Sequence, residues 1–150
     1  MKTFGKIVGI IGLLIVIVFA GVIGKNIGKS MVNNYEQGKI DGAIEETLIE
    51  TSTKVNKQLP IMVDSDTRLD TTICYGKQIH YKYTMINISE NELDKKAFQN
   101  GMESLLAKNQ CNNKNMVKML EMGVEYFYMY FDKNGILIAT IHINKKTCGL

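Results

Sequence analysis

The sequence holds no tryptophan, one proline (Pro60), one arginine (Arg68), two histidines and three cysteines among 150 residues. Each shortage removes a class of function. Of the 18 basic residues 17 are dispersed lysines, and the net charge is +3. The clustered basic footprint that grips a phosphate backbone is therefore missing, and nucleic acid is excluded as a partner. His80 and His142 fall short of the three or four ligands that a zinc centre wants. No serine, threonine or cysteine has an identifiable base and orienting group, so no catalytic residue is expected and the chain does not read as an enzyme. No cysteine precedes position 74, which excludes a lipoprotein attachment site. The length suits one domain with a modest core and is too small for two.

Charge is also missing from one stretch. Ile7 to Gly24 (IVGIIGLLIVIVFAGVIG) runs eighteen residues without a charged or hydrogen-bonding side chain. As a helix it would be ~27 Å long, close to the ~30 Å hydrocarbon core of a bilayer. Its Ile and Val content would weaken a helix in water, but in lipid every backbone group must bond internally. Lys6 and Lys25 bracket the run and can reach the two interfaces. The expected organisation is a cytoplasmic leader (1–6), a transmembrane helix (7–24), a polar juxtamembrane linker (25–34) and a soluble domain (35–150). Gly5 with Gly9, and Gly24 with Gly28, are small-residue pairs through which two such helices could form a homodimer.

A signal peptide cleaved after Ala20 competes with this reading, since Val18-Phe19-Ala20 offers small residues to a peptidase. The apolar run, however, continues through Gly24 and exceeds the usual ~7–15 residues of a signal core, which favours an uncleaved anchor. Lysines are balanced across the run. A six-residue leader that stays in the cytoplasm would place the carboxy-terminal domain outside.

Beyond the linker, Ile40, Ile44, Leu48, Val55 and Leu59 recur near multiples of 3.6, with Glu45, Glu46 and Glu50 between them. This predicts an amphipathic helix over about 35–58, ended by Pro60. Thr67–Tyr75 and Gln78–Ile88 are β-rich, with a turn at Tyr75-Gly76-Lys77. Ser89-Glu90-Asn91-Glu92 is a capping box, and the helix it opens would bury Leu93, Ala97, Phe98, Met102, Leu105 and Leu106. After a break at 109–113, a shorter helix over 114–121 is closed by Gly123. Val124–Phe131 is a strand with Val124, Tyr126, Tyr128 and Tyr130 on one face, and a turn at 132–135 returns the chain as Ile136–Asn144. The expected fold is α+β: an N-terminal transmembrane helix, then an α-β-β-α-α-β-β domain with a four-stranded antiparallel sheet and helices over one face.

Cys74, Cys111 and Cys148 allow three different single bridges. A Cys111–Cys148 bridge would pin the carboxy terminus to the helical layer and contribute about 3–4 kcal/mol. Cys74, inside an apolar strand, behaves as a small hydrophobe. Three reduced cysteines facing the cytoplasm are the opposing reading.

Motifs that carry chemistry mostly fail on inspection. Gly24-Lys25-Asn26-Ile27-Gly28-Lys29-Ser30 has Ile23 where a P-loop needs its first glycine. Asp64-Ser65-Asp66 mimics a phosphatase nucleophile strand, but Arg68 stands where a small or β-branched residue is needed. Leu69 and Tyr75 likewise break a calcium loop. Met116, Met119 and Met122, with Cys111 and Met129 not far in sequence, invite a Cu(I) reading, although such a stripe on a short helix more often fills core. Asp66, Arg68 and Asp70 alternate along a strand, and Arg68 is the best candidate for recognising a carboxylate or phosphate. Tyr126 and Tyr128 could line a ligand groove or stack on a partner. The candidate contact residues are therefore Arg68, Asp66, Asp70, Tyr126 and Tyr128, with no cofactor and no metal.

Leu59-Pro60-x-Met62-Val63-Asp64-x-x-Thr67-Arg68-Leu69-Asp70, then Tyr81-x-Tyr83-Thr84, Cys111, Leu120-x-x-Gly123-Val124-x-Tyr126-x-Tyr128-x-Tyr130-x-Asp132-x-x-Gly135 and Cys148 form a combined pattern over about 59–148. It resembles an uncharacterised group of small bacterial single-pass membrane proteins with a soluble α+β domain. The resemblance implies a cell-envelope location, supports pairing Cys111 with Cys148, and implies no activity. The expected function is a bitopic protein of the bacterial inner membrane presenting a non-catalytic interaction or ligand-binding domain on the periplasmic side. Its partners would be the lipid bilayer and an envelope protein. The alternative is a periplasmic small-molecule or Cu(I)-binding protein released by signal-peptide cleavage.

Overall fold

Ile44, Leu48, Thr51, Ser52 and Val55 recur every three or four residues. They form the buried side of α1 (Gln37–Asn56) in the computed structural model, which describes residues 37–150. The expected leader, transmembrane helix and linker lie outside the described residues. Among the described residues no helix is long and apolar enough to cross a membrane.

After α1 come β1 (Ile61–Met62), β2 (Thr67–Tyr75), β3 (Gln78–Met85), α2 (Lys95–Cys111), α3 (Lys114–Glu121), β4 (Glu125–Phe131) and β5 (Leu137–Ile143). The strands make one sheet in the order β1-β2-β3-β4-β5, in which β3 and β4 are parallel and the other neighbours antiparallel.

This corrects the four-stranded antiparallel expectation twice. The sheet is mixed because the two hairpins are joined through helix. The 17 residues of α2 span about 25 Å, comparable with the length of β3, and carry the chain back to the end where β3 began. β4 therefore starts beside the start of β3 and runs the same way. The fifth strand, β1, pairs Ile61 with Leu69 and Met62 with Arg68; two residues are too few for alternation to reveal. A third difference is local. The Ser89 box closes a 3-10 turn (Glu90–Glu92), with the Ser89 N–H donating to Glu92 Oε2 at 2.7 Å. The helix itself starts later, where Asp94 accepts the Ala97 N–H at 3.0 Å as its N-cap.

All three helices cover one face of the sheet. Alternation sends Ile79, Tyr81, Tyr83 and Met85 of β3 and Tyr126, Tyr128 and Tyr130 of β4 inward, against Phe98, Met102, Leu106, Met116, Met119 and Leu120. Cross-strand tyrosines stack, Tyr81 on Tyr128 at 4.9 Å and Tyr83 on Tyr130 at 5.0 Å, and Phe98 meets Tyr130 edge-on at 5.2 Å. The Tyr128 hydroxyl takes a hydrogen bond from Gln110 Nε2. Among the described residues those of Tyr83, Tyr126 and Tyr130 have no hydrogen-bond partner, nor has Gln110 Oε1. Burial pushes the pKa of all five phenols up, so they stay neutral.

Polar ties fix the periphery. Asn56 lies against the outer edge of β2, donating to the Thr72 carbonyl at 2.7 Å and accepting the Thr72 N–H at 2.8 Å, while Ser52 Oγ meets Thr72 Oγ1 at 2.7 Å. Lys77 Nζ donates to Asp41 Oδ1 at 2.9 Å and to the Met122 carbonyl at 3.0 Å, joining the β2–β3 turn to α1 and to the entry of β4. At the opposite end the buried Asp132 accepts backbone N–H groups from Ile136 and Asn134 (2.8 Å each) and Glu90 (3.1 Å). Its burial works against ionisation, but these donors outweigh it and hold the carboxyl below its ordinary value. Cys111, closing α2, is bonded to Cys148 in the terminal 3-10 turn (Lys146–Cys148), Cα to Cα 5.3 Å. Cys74 is free and half-buried, its Sγ 3.3 Å from the Leu48 carbonyl.

Two stability predictions follow from these contacts. Replacing both Cys111 and Cys148 by serine should lower unfolding free energy in urea by about 3–4 kcal/mol, from the entropy of the reopened loop. Tyr126→Phe removes a buried hydroxyl that satisfies nothing, so stability should hold or rise by up to about 1 kcal/mol. Tyr128→Phe, which strands the Gln110 amide, should cost about 1–3 kcal/mol. Equal losses at the two positions would contradict this account.

Candidate binding face

No described helix covers the second face of the sheet. Its side chains follow from the pairing registers, which set out rows across the strands. Ile73, His80, Phe127 and His142 form one row; Thr71, Lys82, Met129 and Thr140 the next; Arg68, Thr84, Phe131 and Leu137 the third. Ile73 is 59% exposed and Leu137 45%.

The centre is a three-ring stack. Phe127 is held between His80 (centroids 4.5 Å, planes 4° apart) and His142 (4.2 Å, 7°). A polar chain links the imidazoles around the phenyl ring: His80 Nε2 lies 3.4 Å from Gln78 Oε1, Gln78 Nε2 donates to Glu125 Oε2 at 3.3 Å, and His142 Nε2 lies 3.3 Å from the same oxygen. Partial burial lowers the pKa of His80 and a charge on His142 lowers it further, so His80 favours the neutral ring. Lys82 places its ammonium 4.9 Å from the centre of the Phe131 ring.

The five candidate contact residues separate. Arg68 and Asp70 share this open face. A register shift falls between Leu69 and Thr71, and beside it Arg68 Nε donates to Asp70 Oδ1 and the Thr84 hydroxyl to Asp70 Oδ2. Asp66 precedes β2 and turns elsewhere, accepting from Asn87 and Ser65 at 2.7 Å each. These two bonds hold its carboxyl below the usual value. Tyr126 and Tyr128 are on the opposite face, buried beneath the helices.

The stack itself escaped the sequence reading. His80, Phe127 and His142 all occupy outward parities of their strands, but the parallel register between β3 and β4 is what brings them together. With a phenyl ring between them, the two imidazoles cannot share an ion. Among the described residues no three His, Cys, Asp or Glu side chains are grouped to hold a metal. Met116 and Met119 are core side chains and Cys111 is bonded to Cys148, so the sulfur-rich stretch fills volume here. The open face offers flat aromatic area with Lys82 within it and Arg68 toward its edge, suited to stacking and hydrogen bonding.

No family model and no curated protein matches the sequence. Solved structures match its fold. A Pseudomonas aeruginosa protein thought to be secreted is 14% identical with a TM-score of 0.60, over 77% of this chain and 99% of that one. The type II secretion system pilotin AspS of Vibrio cholerae is 15% identical, TM-score 0.55, over 74% and 97%. The pilotin EpsS of the Vibrio vulnificus type 2 secretion system is 14% identical, TM-score 0.61, over 74% and 96%. The chain shares its fold with these small proteins.

The direction of the His80 shift fixes a pH dependence. Its folded pKa lies below the ordinary 6.5, so on acidification the unfolded chain takes up a proton first. The contribution of His80 to stability is intact above 6.5 and falls as pH drops from there through the folded pKa. Denaturant titrations at about pH 7.5 and about pH 5.5 should therefore show a smaller difference for His80→Phe, which keeps the ring stack, than for the parent. Identical differences would show that the ring is not held neutral.

Proposed function

We propose that this chain is a non-catalytic binding protein of the bacterial cell envelope that presents the uncovered sheet face, built on His80, Phe127 and His142 with Lys82 in the next row and Arg68 toward its edge, to an envelope protein. The observation that carries the reading is that face itself. An antiparallel or mixed sheet leaves one side to solvent when that side is polar. Here the side displays Phe127, Met129, Phe131 and Leu137 in adjoining positions, with Ile73 on the far side of His80, the kind of apolar area that marks an interaction site.

Three features support the envelope. A Cys111–Cys148 bridge persists in an oxidising compartment. The fold is shared with two secretion-system pilotins and a protein thought to be secreted. The uncharged run 7–24 would hold the domain at the inner membrane with its body in the periplasm. Thiol labelling of intact cells with and without reductant tests this: Cys111 and Cys148 should react after reduction alone. Free reaction of both without reductant would place them in the cytoplasm. A mature amino terminus beginning at Gly21 by mass spectrometry would replace the anchored form with the released one.

For the face, Arg68→Ala and Phe127→Ser should each reduce, about tenfold, recovery of one co-purifying envelope component from detergent extracts. Glu103→Ala, on an exposed helix surface, should leave it unchanged. Equal recovery with all three variants would remove this face from the reading.

A further inference from the structure

We infer that the end of the domain carrying the β2–β3 turn is a bilayer-docking edge, which seats Tyr75 in the headgroup region of an anionic membrane surface. This rests on the reading that residues 7–24 stay in that membrane, and adds how the domain stands upon it.

The chain enters the domain at this end. Contacts between α1 and β2 march along both elements: Asp41 to Lys77 at 2.9 Å, Leu48 to Cys74 at 3.3 Å, Ser52 to Thr72 at 2.7 Å, and Asn56 to Thr72 at 2.7 Å. The amino-terminal end of α1 therefore lies at the β2–β3 turn, and Gln37 stands about 6 Å before Asp41 along the axis. Twelve residues, 25–36, separate it from the uncharged run. Even fully extended they reach no more than about 40 Å. A tether this short holds the entering end near the bilayer at a high effective concentration.

Strand directions collect more groups there. β3 and β4 both start at this end and β5 finishes at it, which places Lys145 and Lys146, both exposed, and Leu150 at the same end of the sheet as the turn. Tyr75 is 79% exposed, the most of any large hydrophobic side chain among the described residues. An exposed tyrosine with exposed lysines at the same end is the composition that favours a membrane–water interface. Of the carboxylates at this end, Asp41 is paired with Lys77 and Glu125 with His142 and Gln78, while Glu45, Glu46 and Glu121 are exposed. The opposite end gathers Asp64, Asp66, Glu90, Glu92 and Asp132, with Lys95 and Lys133 as local partners. Lys145 and Lys146 are the groups through which an anionic surface would hold this end. Seated this way, the strands stand upright and the open sheet face looks sideways along the membrane.

The natural lack of tryptophan makes the test direct. Full-length chain carrying Tyr75→Trp, reconstituted into phosphatidylglycerol-containing vesicles with brominated acyl chains, should lose about half its emission relative to unbrominated vesicles, as an interfacial indole does. Ile136→Trp, at the opposite end, should lose none. Lys145→Glu with Lys146→Glu should relieve the quenching at position 75 without releasing the chain. Chain that floats with the vesicles but is quenched equally, or not at all, at both positions overturns the docking edge and leaves the anchor standing. Chain that fails to float defeats the anchor itself, and the docking with it.

Discussion

Seven consecutive pairings, from Gln78 with Glu125 to Thr84 with Phe131, hold β3 and β4 side by side in one direction. Both faces of the sheet follow from that register. Inward, it sets Tyr81 against Tyr128 and Tyr83 against Tyr130, so the interior is built on stacked phenols. Outward, the same offset lays His80 on Phe127, and the β4–β5 register adds His142 on its far side. Shifting β4 by one residue would reverse its faces, sending tyrosines to water and Phe127 beneath the helices. The candidate surface and the core are thus two sides of one constraint.

An interior of tyrosines has a physical consequence. Each ring removes a large apolar area from water, yet each hydroxyl needs a partner that a helix layer of Phe, Met and Leu does not readily supply. Gln110 meets this need for Tyr128 and leaves its own carbonyl oxygen unmatched. The domain accepts several buried polar atoms without partners and holds its terminus with a covalent link. Lys77 and Asp132, at opposite ends, secure the connections by gathering several segments onto one charged group each.

Much of this architecture was legible from residue order. β2 begins at Thr67 and ends at Tyr75, α3 spans Lys114–Glu121, and the tyrosine parity of β4 is where alternation put it. Local chemistry was harder where two signals lay close together. Ser89 and Asp94 are both capping residues, and the true helix start belongs to the second because the first closes a single 3-10 turn. The direction of β4 depended on the length of the returning helix, which periodicity does not encode. The candidate site suffered most. Asp66, Arg68 and Asp70 looked equivalent by alternation, and the latter two do meet on one face, but the chain before β2 carries Asp66 away. Neither histidine had a sequence neighbour to mark it, since their shared ring lies some forty-seven residues beyond the first in the chain and fifteen before the second.

Asn56 has a further effect through its position beside Thr72. Past the two residues of β1, the outer rim of β2 would otherwise offer a vacant donor and acceptor to any extended polypeptide drifting by. The carboxamide takes both places, imitating a neighbouring strand with one side chain. Molecules crowded together thus find nothing to zip onto at that point, and this border of the sheet resists growing into a fibre.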